Sequence, residues 1–251
     1  MVKCDCGCEF EPVIEYKHRL LCGDSTNAET VERVLDGAKP NLMVTDPPYG
    51  VEYDADWRNH SFREDGTPIG GRAIGKVAND DQADWLAAWL LSPANVAYVW
   101  SSDRHAYETV TSVLAGGFEV RGQIIWVKSN HVISRGHYHP KHEPCWYAVR
   151  KDETASWIGD HSQMSVWEID KPQKSETGHS TQKPLECMAR PIQNHEGDVY
   201  EPFAGSGTTL VAAQNAGRQC YAIELNPDYV AVILQRMATA FPDIEIKRID
   251  G

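Results

Sequence analysis

The sequence has no long hydrophobic run and no excess of positive charge. No stretch approaches the roughly eighteen uninterrupted apolar residues of a membrane span, and the first residues, Met1 to Asp5, lack the apolar core of a secretion signal. We therefore expect a cytoplasmic protein with no membrane association. The net charge of −12 argues against a protein that coats nucleic acid without specificity, because such binding needs clustered Lys and Arg.

The sequence also lacks the cysteine pattern of a disulfide framework, because its seven cysteines are an odd number. Four of the seven cysteines lie singly within apolar segments, which favours reduced, buried thiols: Cys22, Cys145, Cys187 and Cys220. Cys4, Cys6 and Cys8 alternate, but the second cysteine pair of a zinc ribbon is missing, so we interpret them as a frayed terminus or the remnant of a ribbon, with metal binding as the alternative.

The length of 251 residues and the apolar content of 41% suit a single α/β domain. Short apolar runs alternate with helical patterns, which is the order of a mostly parallel sheet. Strands are predicted at 18–23, 41–45, 96–100, 118–128, 143–150, 198–203 and 219–225, and helices at about 26–35, 81–91, 104–114, 208–216 and 227–240. Another helix begins at Pro184, and Pro191 should kink or interrupt it.

The predicted strand 41–45 ends in Asp46-Pro47-Pro48-Tyr49, at the edge where open α/β sheets bind their ligands. Two prolines remove backbone donors, so this rigid turn offers carbonyl oxygens, a carboxylate and a flat phenol ring. Such a site accepts protons and stacks on a ring. The alternative is an ordinary strand-terminating turn, since Pro and Asp are common turn residues.

A glycine turn, residues 203–209 with the sequence FAGSGTT, joins another strand to a helix and lets the backbone approach a ligand at a positive helix terminus. It is not a Walker loop, because no Gly-Lys-Ser/Thr follows, and it lacks the third glycine of the dinucleotide fingerprint. Glu224 ends the next strand, where nucleotide-binding folds place a carboxylate on ribose. Asp24 also follows a strand, where an N-cap and an adenine contact are both reasonable roles.

These motifs together resemble one enzyme family. The DPPY turn, the later Thr181-Gln182-Lys183-Pro184, the FAGSGTT turn and the strand end at 221–227 are similar to the S-adenosylmethionine-dependent DNA methyltransferases that methylate amino groups. The catalytic motif precedes the cofactor motif, as in the circularly permuted β class. The resemblance spans about residues 18–240. Protein glutamine methyltransferases are excluded, because in them the glycine turn comes before an Asn-Pro-Pro-Tyr.

The resemblance implies a Rossmann-like doubly wound α/β sheet, mostly parallel with an antiparallel edge strand. Residues 1–17 would form an N-terminal extension and residues 18–251 the methyltransferase domain, with a mobile loop at 50–80 and a DNA-recognition insertion at about 129–180. The resemblance also makes a homodimer plausible, because related enzymes are often dimers.

The resemblance further implies the roles of individual residues. Asp46, Pro47, Pro48 and Tyr49 would form the catalytic turn, with Asp46 and the Pro47 carbonyl accepting the amino hydrogens of a flipped base and Tyr49 stacking on that base. Lys183 would hold the carboxylate of the cofactor, although an exposed surface lysine is an equal alternative. The expected cofactor-binding residues are Asp24, Thr181, Gln182, Lys183, Phe203, Gly205, Ser206, Gly207, Thr208, Glu224 and Asn226.

The partner would be double-stranded DNA. Between Arg121 and Lys183 the chain has nine Lys and Arg against seven Asp and Glu, which is compatible with one local nucleic-acid face on an acidic body. The predicted DNA-contacting residues are Arg135, His137, His139, Lys141 and His142. The three histidines also have a spacing that could suggest zinc, but without clustered cysteines no metal site is predicted.

The Asp before Pro-Pro resembles the adenine-modifying members of the family, whereas a Ser there resembles the cytosine-modifying ones. N6-adenine methylation is therefore the favoured activity and N4-cytosine methylation the alternative. A noncatalytic S-adenosylmethionine-binding module is a remote third reading, because a decayed site would not keep the DPPY and FAGSGTT turns intact.

Overall fold

The computed structural model describes residues 18–50, 82–129, 137–170 and 182–248, together with the backbone of two short strands near the N-terminus. Those strands, β1 (Val2–Lys3) and β2 (Glu9–Phe10), pair antiparallel in a sheet of their own. The expected mobile loop at 50–80 lies outside the described residues except for Gly50, and the expected insertion at 129–180 is described in part.

The rest of the described chain alternates strands with helices. The strands are β3 (Arg19–Cys22), β4 (Leu42–Thr45), β5 (Val96–Trp100), β6 (Phe118–Val127), β7 (His142–Arg150), β8 (Val166–Glu168), β9 (Val199–Glu201) and β10 (Cys220–Glu224). The helices are α1 (Ala28–Leu35), α2 (Leu86–Leu91), α3 (Ala106–Ala115), α4 (Leu185–Asn194), α5 (Thr208–Asn215) and α6 (Pro227–Ala240).

Eight strands form one mixed sheet in the order β3-β10-β9-β4-β5-β7-β6-β8. The first five are parallel, β7 is antiparallel to both of its neighbours, and β8 is parallel to β6. The mostly parallel α/β sheet is confirmed, but the antiparallel strand is not at the edge. β6 and β7 form a long hairpin. β7 pairs with β5 on its other side, and the three-residue strand β8 pairs with β6 and forms the edge of the sheet.

Helices cover both faces of this sheet, as expected for a doubly wound fold. One core contains side chains from α1, α2 and α3, including Val31, Trp89 and Val113. The other contains side chains from α4, α5 and α6, including Met188 and Ile233. Strands β4 and β5 are buried along their whole length, because both of their faces pack on helices.

Local sequence signals explain where several helices begin. Asn27 precedes α1, and its side chain accepts hydrogen bonds from the backbone N–H groups of Glu29 and Thr30. Pro227 is the first residue of α6, a position where its missing N–H costs nothing. Pro191, in contrast, does not interrupt its helix: α4 continues past it to Asn194, with Pro191 buried in the core.

Three of the four cysteines that were predicted to be buried are buried. Cys145, Cys187 and Cys220 are free and buried as predicted, whereas Cys22 is free but exposed, because it ends the edge strand β3. Cys4, Cys6 and Cys8 lie outside the described residues. Among the described helices, none is both long and apolar enough to cross a membrane.

Candidate active site

The predicted site residues lie at the carboxyl ends of neighbouring parallel strands. Asp24 follows β3, Glu224 ends β10, the glycine turn follows β9, and Asp46 follows β4. These strands are consecutive in the sheet, so the glycine turn lies between Glu224 and Asp46. The fold therefore brings the DPPY and FAGSGTT turns together in the crevice that the sequence predicted.

The DPPY turn is held by contacts to its side chains and its backbone. The Tyr49 hydroxyl donates to Asp46 Oδ1. Trp85 Nε1 donates to the Pro48 carbonyl oxygen at 2.9 Å, and the Trp85 ring packs edge-on against Phe203 with the ring centroids 4.7 Å apart. Trp85, which the sequence analysis did not single out, thereby connects the DPPY turn to the start of the glycine turn.

Lys183 occupies a different place from the one expected. Its side chain is only 4% exposed, and Nζ lies 2.9 Å from Asp46 Oδ1, 2.6 Å from the Tyr49 hydroxyl oxygen and 2.6 Å from Glu143 Oε2. An ammonium group has three N–H donors, and these three contacts engage all of them. Lys183 therefore belongs to the DPPY turn, and its interpretation as an exposed surface lysine is wrong, whereas a contact with the carboxylate of the cofactor stays a prediction.

Glu143 and Lys128 extend this network along the β6–β7 hairpin. Glu143 accepts from Lys183 through Oε2, and its Oε1 lies 2.5 Å from Lys128 Nζ. The side chains of Lys128 and Glu143 are 10% and 19% exposed. Positive and negative charges thus alternate from Asp46 through Lys183 and Glu143 to Lys128.

Burial and neighbouring charges shift the pKa values of this network in opposite directions. Burial raises the pKa of Asp46 above the ordinary value for Asp; Lys183 opposes this shift and Glu143 adds to it. Burial also opposes ionisation of Glu143, but Lys183 and Lys128 outweigh it and lower its pKa to about 2. Glu143 is therefore a permanent anion at neutral pH. Burial would lower the pKa of Lys183, but the two carboxylates raise it, so Lys183 is a permanent cation.

The glycine turn has the backbone geometry that a close ligand requires. Gly205 and Gly207 have φ values of +53° and +80°, which side chains other than glycine rarely adopt. Arg236 of α6 holds the turn, since Nη1 lies 3.0 Å from the Ser206 carbonyl oxygen and 3.1 Å from Thr208 Oγ1. Helix α5 begins directly after Gly207 without a side-chain cap, so its positive end faces the crevice.

Glu224 is buried behind the glycine turn and fixes its position. Oε2 accepts from the Gly205 backbone N–H at 2.7 Å, and Oε1 accepts from the Asn226 N–H at 2.9 Å. The Leu225 backbone N–H is a third donor to this carboxylate. A carboxylate has about four acceptor positions, so these bonds leave acceptor capacity for a ribose hydroxyl. The Asn226 side chain accepts from the Asp228 N–H and caps α6. Asp24 is exposed and accepts from the N–H and hydroxyl of Thr26.

A second buried carboxyl group, Glu201, joins the two turns. Oε1 accepts from the Thr45 hydroxyl at 2.5 Å and from the Phe203 N–H at 3.0 Å, and Oε2 accepts from the Thr209 hydroxyl at 2.6 Å. Thr45 immediately precedes Asp46, while Phe203 and Thr209 are the first and last residues of the glycine turn. Burial raises the pKa of Glu201 to about 8, although its three hydrogen bonds oppose this shift.

The residues of the crevice fit a nucleoside cofactor with a charged amino-acid end. Among the described residues, a Cβ built on Gly205 would meet nothing within 4 Å, so this part of the turn faces open space beside Glu224. Glu224 and Asp24 offer acceptors to hydroxyl and amino groups, and the uncapped start of α5 favours a negative group. Gln182 is half-buried next to Lys183, and Thr181 lies outside the described residues.

The predicted DNA-contacting side chains lie at the same edge of the sheet. β6 runs in the same direction as β5 and β4, because β7 is antiparallel to both of its neighbours. The connection from β6 to β7 therefore begins on the same side of the sheet as Asp46, which follows β4. Within that connection and at the start of β7, His137, His139, Lys141 and His142 are exposed. Arg135 lies outside the described residues. In the part of the chain that the structure describes, no group of three or more His, Cys, Asp or Glu could hold a metal ion.

Sequence reasoning missed several residues of the site, among them Trp85, Lys128, Glu143, Glu201 and Arg236. Glu201 had a usable signal, because it is an acidic residue in an apolar strand directly before the glycine turn. Glu143 had a weaker one, a charged residue opening the apolar strand β7. Trp85 and Lys128 had none, because neither lies in a motif.

Comparison with known proteins agrees with this geometry. A family of DNA methylases, the N6/N4 type, matches residues 41–235, which is more than half of the chain. The type II methyltransferase M2.DpnII of Streptococcus pneumoniae is 25% identical over 82% of this chain and 86% of its own length.

Two solved structures share the fold. The M1.HpyAVI–SAM complex superposes with a TM-score of 0.64 at 23% identity, covering 88% of this chain and 100% of that one. PvuII DNA methyltransferase, described as cytosine-N4-specific, gives a TM-score of 0.62 at 14% identity, covering 93% of this chain and 92% of that one. The family match includes the DPPY turn, the glycine turn and Glu224. The chain belongs to the N6/N4 family of DNA methylases, which methylate exocyclic amino groups of DNA bases with S-adenosylmethionine as the cofactor.

Proposed function

We propose that this enzyme methylates the exocyclic N6 amino group of an adenine in double-stranded DNA at a specific site. The observation that carries the proposal is the Asp46 carboxylate, which lies at a carboxyl strand end beside the glycine turn. S-adenosylmethionine, when bound, supplies an electrophilic methyl group. Everything else that the reaction needs is orientation and charge, which side chains and backbone can supply without a metal ion or a covalent nucleophile.

Among the residues that the structure describes, the groups that bind the Asp46 carboxylate leave one of its two oxygens open to the substrate. Both the Tyr49 hydroxyl and Lys183 bind Oδ1, so neither of them occupies Oδ2. In our proposal Oδ2 and the Pro47 carbonyl oxygen accept the two amino hydrogens of the base. The amino nitrogen then becomes more tetrahedral, its lone pair is available for attack, and the carboxylate stabilises the positive charge that develops on nitrogen. As the N–C bond forms, the methyl–sulfur bond breaks and leaves a neutral thioether, and Asp46 Oδ2 accepts the proton that the methylated nitrogen loses.

Tyr49 gives the base a surface to stack on. An amino group inside a duplex is out of reach, so the base must leave the helix and enter the crevice. The Tyr49 hydroxyl is bound by both Asp46 and Lys183, which fixes the orientation of the ring. A fixed ring loses little entropy on binding, and this favours stacking of the flipped base.

We assign cofactor binding to the crevice between β3 and β4. Glu224 would accept the ribose hydroxyls, Asp24 would approach the adenine, and the turn from Phe203 to Thr208 would surround the methionine part near the start of α5. Gln182 and Thr181 would line the same end. Asn226 acts mainly through its cap of α6 and through its backbone bond to Glu224.

We assign DNA recognition to the segment 129–180, as an insertion in a methyltransferase domain that begins near residue 18. Its exposed His137, His139, Lys141 and His142 lie at the edge that carries Asp46. Arg135 and the loop from Trp57 to Lys76 would complete this face. A homodimer stays a prediction, to be checked by light scattering of the purified protein.

The preference for adenine rests on the Asp that precedes Pro-Pro, because cytosine-modifying members more often have Ser there. The decisive experiment is expression in a host without DNA methylation, followed by sequencing that detects modified bases. N6-methyladenine at one short sequence supports the proposal. N4-methylcytosine would replace it by the alternative activity, and unmodified DNA with intact cofactor binding would point to a noncatalytic module.

The variant Asp46→Ala tests the central residue. We expect methyl transfer to fall by about 1,000-fold or more, because the acceptor of the amino hydrogens and the charge that stabilises the nitrogen are both removed. Cofactor affinity, measured by calorimetry, should stay within about threefold of the wild type. Asp103→Ala, at an exposed carboxylate just beyond the end of neighbouring β5, is the matched control. Retained turnover in Asp46→Ala would contradict the assignment.

A further inference from the structure

The buried cation beside Asp46 creates an electrostatic problem for the proposed chemistry. Lys183 Nζ lies 2.9 Å from Asp46 Oδ1, and its side chain is almost fully buried. A carboxylate paired only with an ammonium group has little net charge left to stabilise a second cation, such as the amino nitrogen during attack. The site must therefore compensate the charge of Lys183 by another group.

Glu143 has the position and the charge to do this. Glu143 Oε2 lies 2.6 Å from Lys183 Nζ, whereas Asp46 Oδ1 lies 2.9 Å from it. Glu143 belongs to β7, so it reaches Lys183 from the β6–β7 hairpin. Its other oxygen is paired with Lys128 at 2.5 Å. Two carboxylates and two ammonium groups thus form a neutral buried row, in which Lys183 is shared between the two carboxylates.

The aromatic surroundings of Lys183 explain why this cation stays in place. Nζ lies 4.9 Å from the ring centroid of Trp100, 5.2 Å from that of Tyr49 and 5.9 Å from that of Trp126. Cation–π contacts at these distances favour the ammonium group, and the rings exclude water that could screen its charge. Only a charged neighbour, and not solvent, can then balance it.

We propose that Glu143 is a positioning residue for methyl transfer: it holds Lys183 on the buried side of Asp46 and balances its charge, so that Asp46 keeps its negative charge for the target amino group. Lys128 opposes Glu143 and limits how negative the site becomes. This inference rests on the proposed function, and it extends the active site to the β6–β7 hairpin, the same hairpin whose connection carries the exposed histidines.

The test compares two single variants that should act in opposite directions. Glu143→Gln keeps the size of the side chain but removes its charge, so Lys183 should pair more tightly with Asp46 and the pKa of Asp46 should fall. Lys128→Gln removes a positive charge, so the pKa of Asp46 should rise. Single-turnover rates would be measured against pH with a labelled methyl group and genomic DNA from a methylation-free host, because the acidic limb reports the ionisation of the essential carboxylate.

We expect Glu143→Gln to slow single turnover by about tenfold to 100-fold and to move the acidic limb to lower pH. Lys128→Gln should move the limb to higher pH. Glu143→Asp, which keeps the charge, should return the limb toward the wild-type position even if its rate stays reduced. Glu119→Gln on β6, an exposed carboxylate paired with Arg121 at 3.2 Å, should change neither the rate nor the limb.

The rate and the position of the acidic limb together decide whether Glu143 balances the charge of Lys183. A reduced rate with an unmoved limb in Glu143→Gln would mean that Glu143 only supports the fold, and shifts of the same sign in both variants would also refute the charge-balancing role. If Glu143→Gln does not fold, Lys128→Gln still decides the sign, because an acidic limb that does not move to higher pH in this variant would refute the charge-balancing role. A wild-type protein that transfers no methyl group to DNA at any pH would instead refute the proposed function.

Discussion

Glu201 permits a sharp test of the connection between the two turns. This carboxyl group is 1% exposed, accepts from Thr45, Phe203 and Thr209, and has a pKa raised to about 8 by burial. We predict that it is protonated at neutral pH in the folded protein. The variant Glu201→Gln should then be tolerated, because a neutral amide can replace a neutral carboxyl group and the threonine hydroxyls can donate or accept.

The magnitude follows from proton linkage. A carboxyl group whose pKa is higher in the folded state than in the unfolded chain holds its proton more tightly when folded, so its contribution is fully present below the unfolded pKa and is lost as the pH rises through the folded value. The slope is about −1.4 kcal/mol per pH unit between the two values. Because the slope flattens near the folded pKa, the wild type should lose roughly 2 kcal/mol of unfolding free energy between about pH 6 and pH 8 through this one group.

Urea unfolding at about pH 6, 7 and 8 measures this difference. Glu201→Gln lacks the titrating group, so its unfolding free energy relative to the wild type should rise by roughly 2 kcal/mol over that range. Glu196→Gln, at an exposed carboxylate shortly before β9, is the matched control and should follow the wild type. Parallel pH profiles for the wild type and Glu201→Gln would refute a protonated Glu201, as would a large loss of stability for the variant at pH 6.

Two further variants test the crevice. Glu224→Ala should weaken cofactor binding by about tenfold or more, as measured by calorimetry. The variant removes a buried charged acceptor, and the Gly205 and Asn226 N–H groups lose their partner. An unchanged cofactor affinity would show that Glu224 does not belong to the site. Tyr49→Phe should slow single turnover by about tenfold but bind DNA normally, whereas Tyr49→Ala should also weaken DNA binding, by about tenfold or more, since base stacking is lost; equal DNA affinity in the two variants would contradict the stacking role.

The motifs of the site could be predicted because each one is local. A carboxylate at the end of an apolar strand, two prolines after it and a glycine turn before a helix constrain the backbone within a few residues, and the boundaries of β5 and α6 were predicted for the same reason. The edge at which Asp24, Glu224 and Asp46 meet followed as well, because parallel strands place their carboxyl ends on one side of a sheet.

The predictions that failed depended on distant parts of the chain. The position of β7 between β5 and β6 is set by its pairing with both strands, which are distant from each other in the chain. The edge strand β8 has three residues and gives almost no sequence signal. Pro191 was expected to kink or interrupt α4; the helix is not interrupted, and it continues to Asn194 with Pro191 buried. Cys22 is exposed because β3 is an edge strand, which local hydrophobicity does not reveal.

The sequence by itself therefore determined the fold class, the enzyme family and the two turns that form the crevice. Only the tertiary structure decided what surrounds Asp46. Lys183 is separated from Tyr49 by 134 positions and from Glu143 by 40, so no local pattern relates these three residues. The charges of Lys183 and Glu143 affect the pKa of Asp46 because folding removes these groups from water and brings them close together. The low dielectric constant of the buried site then strengthens the interaction between their charges.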